Sequence, residues 1–286
     1  MEITSHQNLV VTMKILSFTL LVLLTSGSTF PADVNLMTLP LASYPLLSAF
    51  SLPNTSYGSS ANFGVTIESV GDLNDDGHED FAMPGPNTNN LINGVVFVLW
   101  GNDQSSSPTL SSSSPWPSNI ISLLPNISLG LVIYGSVPRQ RVGYGIGGGC
   151  DVNNDHINDL LIGTHSTDGN SILTALYVLF GRSHLSYGDW STGFIWTGQL
   201  NGVNGFKIIP ADPFASSLLS SWSDFFGTFT QHCLRDYNGD GIGDIFFADY
   251  HAVSSWSGRA ILLFGAVSGP AVFDLSSAES TAAVIF

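Results

Sequence analysis

The chain has 286 residues, of which 44% are hydrophobic and 11% aromatic, so it is long enough to bury a sizeable core and is not a disordered segment. Acidic residues outnumber basic ones 22 to 7, and the formal net charge of −15 makes nucleic acid and anionic membrane surfaces poor partners. Thirty glycines and 14 prolines favour many short strands joined by turns over a helical bundle.

The N-terminus predicts a signal peptide over residues 1–32. Lys14 precedes an apolar run from Ile15 to Leu24, and small residues follow, which is the order of a secretory leader. A run of this length is too short to cross a bilayer, which needs about 20 residues. The alternative is that the run forms a buried first strand. We expect a secreted, extracellular protein with no membrane span.

Two further features bear on the compartment. The sequons at Asn54 and Asn126 predict a glycoprotein, although such triplets are common by chance. Cys150 and Cys233 are too few for a disulfide framework. A single bridge between them is one reading, and two small buried thiols is the reading that we favour.

Three segments repeat the same order of features. Each has an aromatic-Gly pair, an acidic loop, a short apolar strand, a stronger strand that closes on aromatic-Gly, a polar insertion and a fourth short strand. The strands predicted after the loops are 81–83, 95–100 and 131–134 in the first segment, 160–162, 176–180 and 206–209 in the second, and 245–247, 261–264 and 283–286 in the third.

Four antiparallel strands repeated around an axis form the blade of a β-propeller, and such blades bury their faces by stacking. We therefore predict an all-β fold, a propeller-like array of four-stranded blades at 61–135, 136–210 and 211–286. Segment 33–60 can add an outer strand or a degenerate blade. A solenoid or a row of separate β-domains is the alternative, but its repeats would not need the aromatic-Gly pairs.

The acidic loops predict metal sites. The spacing Asp-x-Asn-x-Asp-x-x-x-Asp places side-chain oxygens at positions 1, 3, 5 and 9, and position 7 can add a main-chain carbonyl. A hard cation takes six to eight oxygen ligands, which favours Ca²⁺, in up to three structural sites. The candidate ligands are Asp72, Asn74, Asp76, His78 and Asp80 in loop 1, Asp151, Asn153, Asp155, Ile157 and Asp159 in loop 2, and Asp236, Asn238, Asp240, Ile242 and Asp244 in loop 3.

These loops differ from EF-hands, because no Glu stands at position 12 and strands flank them. Position 6 needs a left-handed backbone, which Gly77 and Gly241 adopt freely and His156 adopts at a cost, so we expect loop 2 to be the weakest site. The residues between ligand positions, among them Asp75 and Asn154, are expected to face solvent. Ordinary Asx-rich turns without metal are the alternative. The loops hold 11 of the 22 acidic residues, and three Ca²⁺ would bring the net charge to −9.

At these residues the chain resembles the FG-GAP repeats of the integrin α-subunit propeller, which also occur in secreted multi-repeat proteins and in glycosylphosphatidylinositol-specific phospholipase D. The resemblance covers about residues 60–286 and is carried by the thrice-repeated loop after Phe63-Gly64, Tyr144-Gly145 and Phe226-Gly227. It implies a propeller fold and calcium ligation at the positions named above. The Gly-Ala-Pro half of the family signature has drifted, and three blades are recognisable where family propellers have seven. The open blade edges therefore predict a fragmentary propeller or self-association.

The resulting hypothesis is a secreted calcium-binding module that binds a protein or glycan in cell adhesion. The first alternative is the propeller portion of a hydrolase such as a phospholipase-D-like enzyme. The chain has no Gly-x-Ser-x-Gly elbow, His-Glu-x-x-His or phosphate loop, so we expect no enzymatic activity and no catalytic residues. Histidines 78, 165, 232 and 251 can in principle gather at one face, but we expect them to be scattered. A truncated, non-functional product is the second alternative.

Overall fold

The computed structural model describes residues 9–15, 18–24, 47–48, 66–86, 93–101, 125–165, 175–209, 231–249, 259–275 and 283–285. By contacts the chain divides into two compact units. One comprises Met1–Pro53 with Asn102–Leu123, and the other comprises Asn54–Gly101 with Leu124–Phe286. Within the described residues, no helix is long and apolar enough to cross a membrane.

The first unit contains a small antiparallel sheet in the order β1-β2-β3. Its strands are β1 (Leu9–Ile15), β2 (Phe18–Leu24) and β3 (Leu47–Ser48). The apolar run that predicts a leader therefore lies largely in β2, paired along its length with β1. The signal peptide over 1–32 stays a prediction.

The second unit contains three sheets, which we call blades 1, 2 and 3, each with four antiparallel strands in chain order. Blade 1 consists of β4 (Glu68–Gly71), β5 (Asp80–Gly85), β6 (Val95–Leu99) and β7 (Gly130–Tyr134); blade 2 of β8 (Gly145–Cys150), β9 (Asp159–Gly163), β10 (Leu176–Leu179) and β12 (Gly205–Ile209); blade 3 of β13 (Gln231–Leu234), β14 (Asp244–Asp249), β15 (Arg259–Leu263) and β17 (Ala283–Ile285). The strands predicted after each acidic loop are present, and the all-β, propeller-like fold is confirmed. The exact divisions between blades stay predictions.

A fifth, parallel strand extends two of the blades. Strand β11 (Phe194–Trp196) leaves the β10–β12 connection of blade 2 and pairs with β7 of blade 1. Strand β16 (Val272–Asp274) leaves the β15–β17 connection of blade 3 and pairs with β12 of blade 2. Two short 3-10 helices, Gly188–Trp190 and Thr197–Gln199, flank β11. The insertion of one blade thus covers the outer edge of the preceding blade, an arrangement that was not predicted from the sequence.

The hydrophobic core lies between neighbouring blades. Alternation along β9 shows this directly, because Leu160 and Ile162 pack against blade 1 while Leu161 packs against blade 3. Val96 and Val98 face blade 2 from the other side of the first interface, and Phe247 faces it from blade 3. A blade that buries both faces of its strands in this way depends on its neighbours for stability.

A disulfide joins Cys150 at the end of β8 to Cys233 in β13, with the two Cα atoms 5.3 Å apart. The preference for two free thiols was therefore wrong. The two cysteines lie 83 residues apart in sequence, and only the packing of the first strands of blades 2 and 3 brings them together. That contact depends on blade stacking, which the number of cysteines in the sequence does not reveal.

Candidate metal sites in the acidic loops

The three acidic loops have the same conformation, held by the same hydrogen bonds. The carboxylate at position 1 accepts the N–H groups of positions 5 and 6, at 3.0 and 2.8 Å in loop 1. The same pair of bonds is 3.1 and 2.7 Å long in loop 2 and 3.1 and 2.8 Å long in loop 3. The asparagine at position 3 also accepts the N–H of position 5 in every loop. This chain of Asx turns draws the side chains of positions 1, 3 and 5 to one corner of the loop.

This turn requires a left-handed backbone at two positions of each loop. Position 6 has positive φ in every loop: 88° at Gly77, 71° at His156 and 88° at Gly241. The left-handed conformation predicted for His156 is therefore present, and it costs more for histidine than for glycine. Position 4 is also left-handed, and its side chains in loops 1 and 2, Asp75 and Asn154, are exposed as expected.

The aspartate at position 9 plays a different part, because its two oxygens bind the main chain. In loop 1 Asp80 accepts the N–H of Leu73 at 2.8 Å and the N–H of Gly101 at 2.7 Å. Asp159 and Asp244 make the equivalent pair of bonds, to Val152 and Gly181 and to Tyr237 and Gly265. All three aspartates are fully buried. Each one therefore ties its loop to the end of the third strand of its blade.

These bonds explain the aromatic-Gly pair that closes the third strand. A Cβ atom at Gly101 would overlap the carbonyl oxygen of Glu79, which is position 8 of the loop. The same overlap arises at Gly181 with Asn158 and at Gly265 with Gly243. Only glycine lets this strand end come close enough for its N–H to reach the buried carboxylate.

Burial perturbs the position 9 carboxyls. It raises the pKa of Asp80 to about 8, and the nearby charges of Asp76 and Asp72 act in the same direction. Burial raises the pKa of Asp159 well above its ordinary value as well. The two N–H donors at each carboxyl act in the opposite direction and favour the ionised form. A nearby cation would favour ionisation further.

Loops 1 and 2 are each bound to the next blade through their own main chain. The carbonyl of Asp72 accepts the N–H of Asn158, and that of Asp151 accepts the N–H of Gly243. At position 2 the carbonyls of Leu73 and Val152 accept N–H groups from the residue after the next aromatic-Gly pair. Loops 1 and 2 are thus part of the blade-to-blade contact rather than free hairpin ends.

Loop 1 is the most covered of the three. Asn74 is 1% exposed, and its side chain interacts with the hydroxyl of Tyr187 in the blade 2 insertion. The His184 ring lies 2.6 Å from the carbonyl oxygen of Asp75. The equivalent Asn153 is half-buried and Asn238 is exposed.

The structure describes all fifteen candidate ligands, and it brings positions 1, 3 and 5 of each loop together. Among the residues that the structure describes, no three His, Cys, Asp or Glu side chains form a group poised to hold a metal ion. The physical reason is that the position 9 carboxylates face main-chain N–H groups. The donors that meet at the loop corner are two carboxylates and one amide. Whether the loops take a metal stays a prediction.

The candidate histidines lie in different places. His78 contacts Asp76 within loop 1, at 3.2 Å. His165 lies beyond the far end of β9, stacked on Tyr144 with the ring centres 4.6 Å apart. His232 is exposed on β13, and His251 lies outside the described residues.

A polar cleft of about 540 Å³ lies beside the loops, where β4, β8 and the third loop meet. Glu79, Asp151, Asn158 and Arg235 line it together with several glycines and Cys150. Ser69 donates a hydrogen bond to Glu79 at its edge. The sequence alone does not predict this cleft, because its residues come from all three blades and no single motif marks it.

Fold and site together define a propeller-like, all-β protein with acidic loops between the first two strands of each blade. No family model matches the chain. Integrin alpha-PS2 of Drosophila melanogaster is similar, with 33% identity over 112 residues. This match covers 39% of the chain and only 7% of integrin alpha-PS2. It indicates an integrin-α-like relationship over part of the chain.

Proposed function

We propose that this chain is an extracellular, integrin-α-like binding module for a protein or glycan ligand in cell adhesion, and that Ca²⁺ stabilises its acidic loops. The observation that carries the calcium proposal is the set of hydrogen bonds that the three loops share. It gathers two carboxylates and one amide at one corner of each loop, in a chain with few basic residues.

The donor chemistry suits a hard cation. A carboxylate offers about four lone-pair sites. The position 1 aspartate uses two of them on main-chain N–H groups in loops 1 and 2, and Asp236 uses three in loop 3. Oxygens from positions 1, 3 and 5 remain available at the corner, and position 7 can add its carbonyl. A cation there would also offset the repulsion among the acidic residues of the loop and favour the ionised form of Asp80.

The adhesion role is supported by the partial similarity to integrin alpha-PS2. The same relationship and the predicted signal peptide support an extracellular location. We assign no enzymatic activity, and the metal in this proposal is structural rather than catalytic.

Calcium removal tests the proposal. We expect a chelator to lower the melting temperature, because a ligand that binds only the folded state stabilises it by about 2.7 kcal/mol per site at a hundred times its dissociation constant. Thermal unfolding with excess Ca²⁺, with chelator and with Ca²⁺ restored measures this. Direct titration of the metal-free protein gives the number of sites.

Variants with a substitution in one loop show which loop forms each calcium site. Asp72→Asn, Asp151→Asn and Asp236→Asn should each remove one site from the titration. Asp75→Asn is the matched control, because Asp75 is exposed and lies between the ligand positions. A melting temperature that does not respond to the chelator would overturn the calcium proposal.

A further inference from the structure

One of the two sequons lies in a well-defined turn at the edge of blade 1. Asn126 precedes β7, and its main-chain carbonyl accepts the N–H groups of Leu129 and Gly130 at 2.9 and 3.0 Å. Its side-chain Oδ1 accepts the N–H of Ser128 at 3.1 Å and the Ser128 hydroxyl at 2.8 Å. Both side-chain bonds use Oδ1, so within the described part of the chain Nδ2 takes no part in holding the turn.

The surroundings of the turn fix its backbone and leave the side chain outside. Asn126 and Ser128 are both exposed. The carbonyl of Ile127 accepts the indole N–H of Trp100 at 2.6 Å, which anchors the turn to the end of β6. Gly193 of the blade 2 insertion packs against the main chain of residues 125–127. A large polar group on Nδ2 can therefore extend into solvent without disturbing these contacts.

We propose that Asn126 is an N-glycosylation site. In the reaction Nδ2 forms a bond to the anomeric carbon of an oligosaccharide carried on a lipid pyrophosphate. The bond from that carbon to the pyrophosphate oxygen breaks, Nδ2 loses a proton, and the lipid pyrophosphate leaves. The Ser128 hydroxyl is the sequon group that this acceptor requires, and the structure holds it on the Asn126 amide.

This inference rests on the proposed extracellular location, since the modification occurs in the secretory pathway. The glycan would lie on the outer side of blade 1, next to the segment of blade 2 that covers this edge. Asn126 is far along the chain from Asn54, the other sequon, which lies outside the described residues. The two sites can therefore be tested independently.

The test expresses the full chain behind a heterologous secretory leader in glycosylating eukaryotic cells, with Asn54→Gln to remove the other sequon. Mass spectrometry of the peptide that contains residue 126, before and after an amidase that converts glycosylated Asn to Asp, reads the modification. We expect a glycan on Asn126, its loss in Ser128→Ala and its retention in Ser128→Thr.

The possible outcomes distinguish a failure of the glycosylation proposal from a failure of the proposed extracellular location. An unmodified Asn126 in chain recovered from the medium would overturn the glycosylation proposal. A chain that is glycosylated behind the heterologous leader, but stays inside the cell with its own N-terminus, would support glycosylation at this turn and count against the extracellular location. If Ser128→Ala fails to fold, Asn126→Gln serves as the second variant.

Discussion

The aspartate at position 9 of each acidic loop is a ligand candidate by its spacing, and in the structure it is also the link between loop and strand. Asp80 accepts one N–H from its own loop and one from Gly101, 21 residues later. The sequence presents the acidic loop and the aromatic-Gly pair as separate motifs. The structure shows that they are two ends of one hydrogen-bonded unit, because the buried carboxylate needs both donors.

One buried residue outside the loops, His165, makes the stability of the protein depend on pH. His165 is 9% exposed and stacks on Tyr144, with the Arg141 guanidinium 5.8 Å from the centre of the same tyrosine ring. Burial lowers the pKa of His165 from 6.5 to about 4, and the charge of Arg141 acts in the same direction. The folded state therefore holds this imidazole neutral at pH values where the unfolded chain protonates it.

We predict that this residue makes the protein less stable as the pH falls. The unfolded chain takes up a proton near pH 6.5 and the folded chain only near pH 4, so stability is lost between these values. The full difference in pKa corresponds to about 3 kcal/mol. Denaturant unfolding at pH 7 and pH 4.5 measures it, and His165→Phe should reduce the loss by most of this amount.

Comparing the loss of stability in the original protein with that in His165→Phe removes the contribution of the many carboxylates, because that contribution is the same in both proteins. His232→Gln is the control, because His232 is exposed on β13. An equal loss of stability in the original protein and in His165→Phe would contradict the prediction.

At the scale of elements, the strands were predictable where their signals are local. The apolar runs at 95–100 and 176–180 end in aromatic-Gly and coincide closely with β6 and β10. Strands β11 and β16 were not predictable, since each has three residues and forms only because it pairs with a strand of the preceding blade. The left-handed backbone at His156 was predictable, because the repeat aligns it with two glycines.

The disulfide is also a contact between elements, and it predicts a specific stability effect. It joins the first strands of blades 2 and 3 across 83 residues of sequence. A native bridge of this kind typically contributes about 2–4 kcal/mol, chiefly by restricting the unfolded chain. We expect Cys150→Ala with Cys233→Ala to lower the free energy of unfolding by this amount.

A reductant provides the control. It should lower the denaturation midpoint of the original protein and leave the double variant unchanged. Two titratable thiols in the unreduced, denatured protein would show that the bridge does not form.

At the scale of the whole array, each acidic loop becomes buried only when the next blade packs on it. Leu73 of loop 1 is fully buried and Val152 of loop 2 is 2% exposed, and their carbonyls accept N–H groups from blades 2 and 3. Tyr237 has the same position in loop 3 and is 67% exposed. The loop sequence is repeated three times, but its burial depends on the neighbour, as in other repeat proteins.

This difference in burial predicts that substitutions at equivalent loop positions lower the free energy of unfolding by unequal amounts. Leu73→Ala should lower the free energy of unfolding by about 2–5 kcal/mol, because it leaves a cavity between blades 1 and 2. Tyr237→Ala should change it by no more than about 0.5 kcal/mol, because Tyr237 is largely exposed. Denaturant unfolding in excess Ca²⁺ compares the two variants with the loops in the same state. A cost for Tyr237→Ala as large as that for Leu73→Ala would mean that the third loop is covered in solution, and the array would then extend beyond the three blades through this surface.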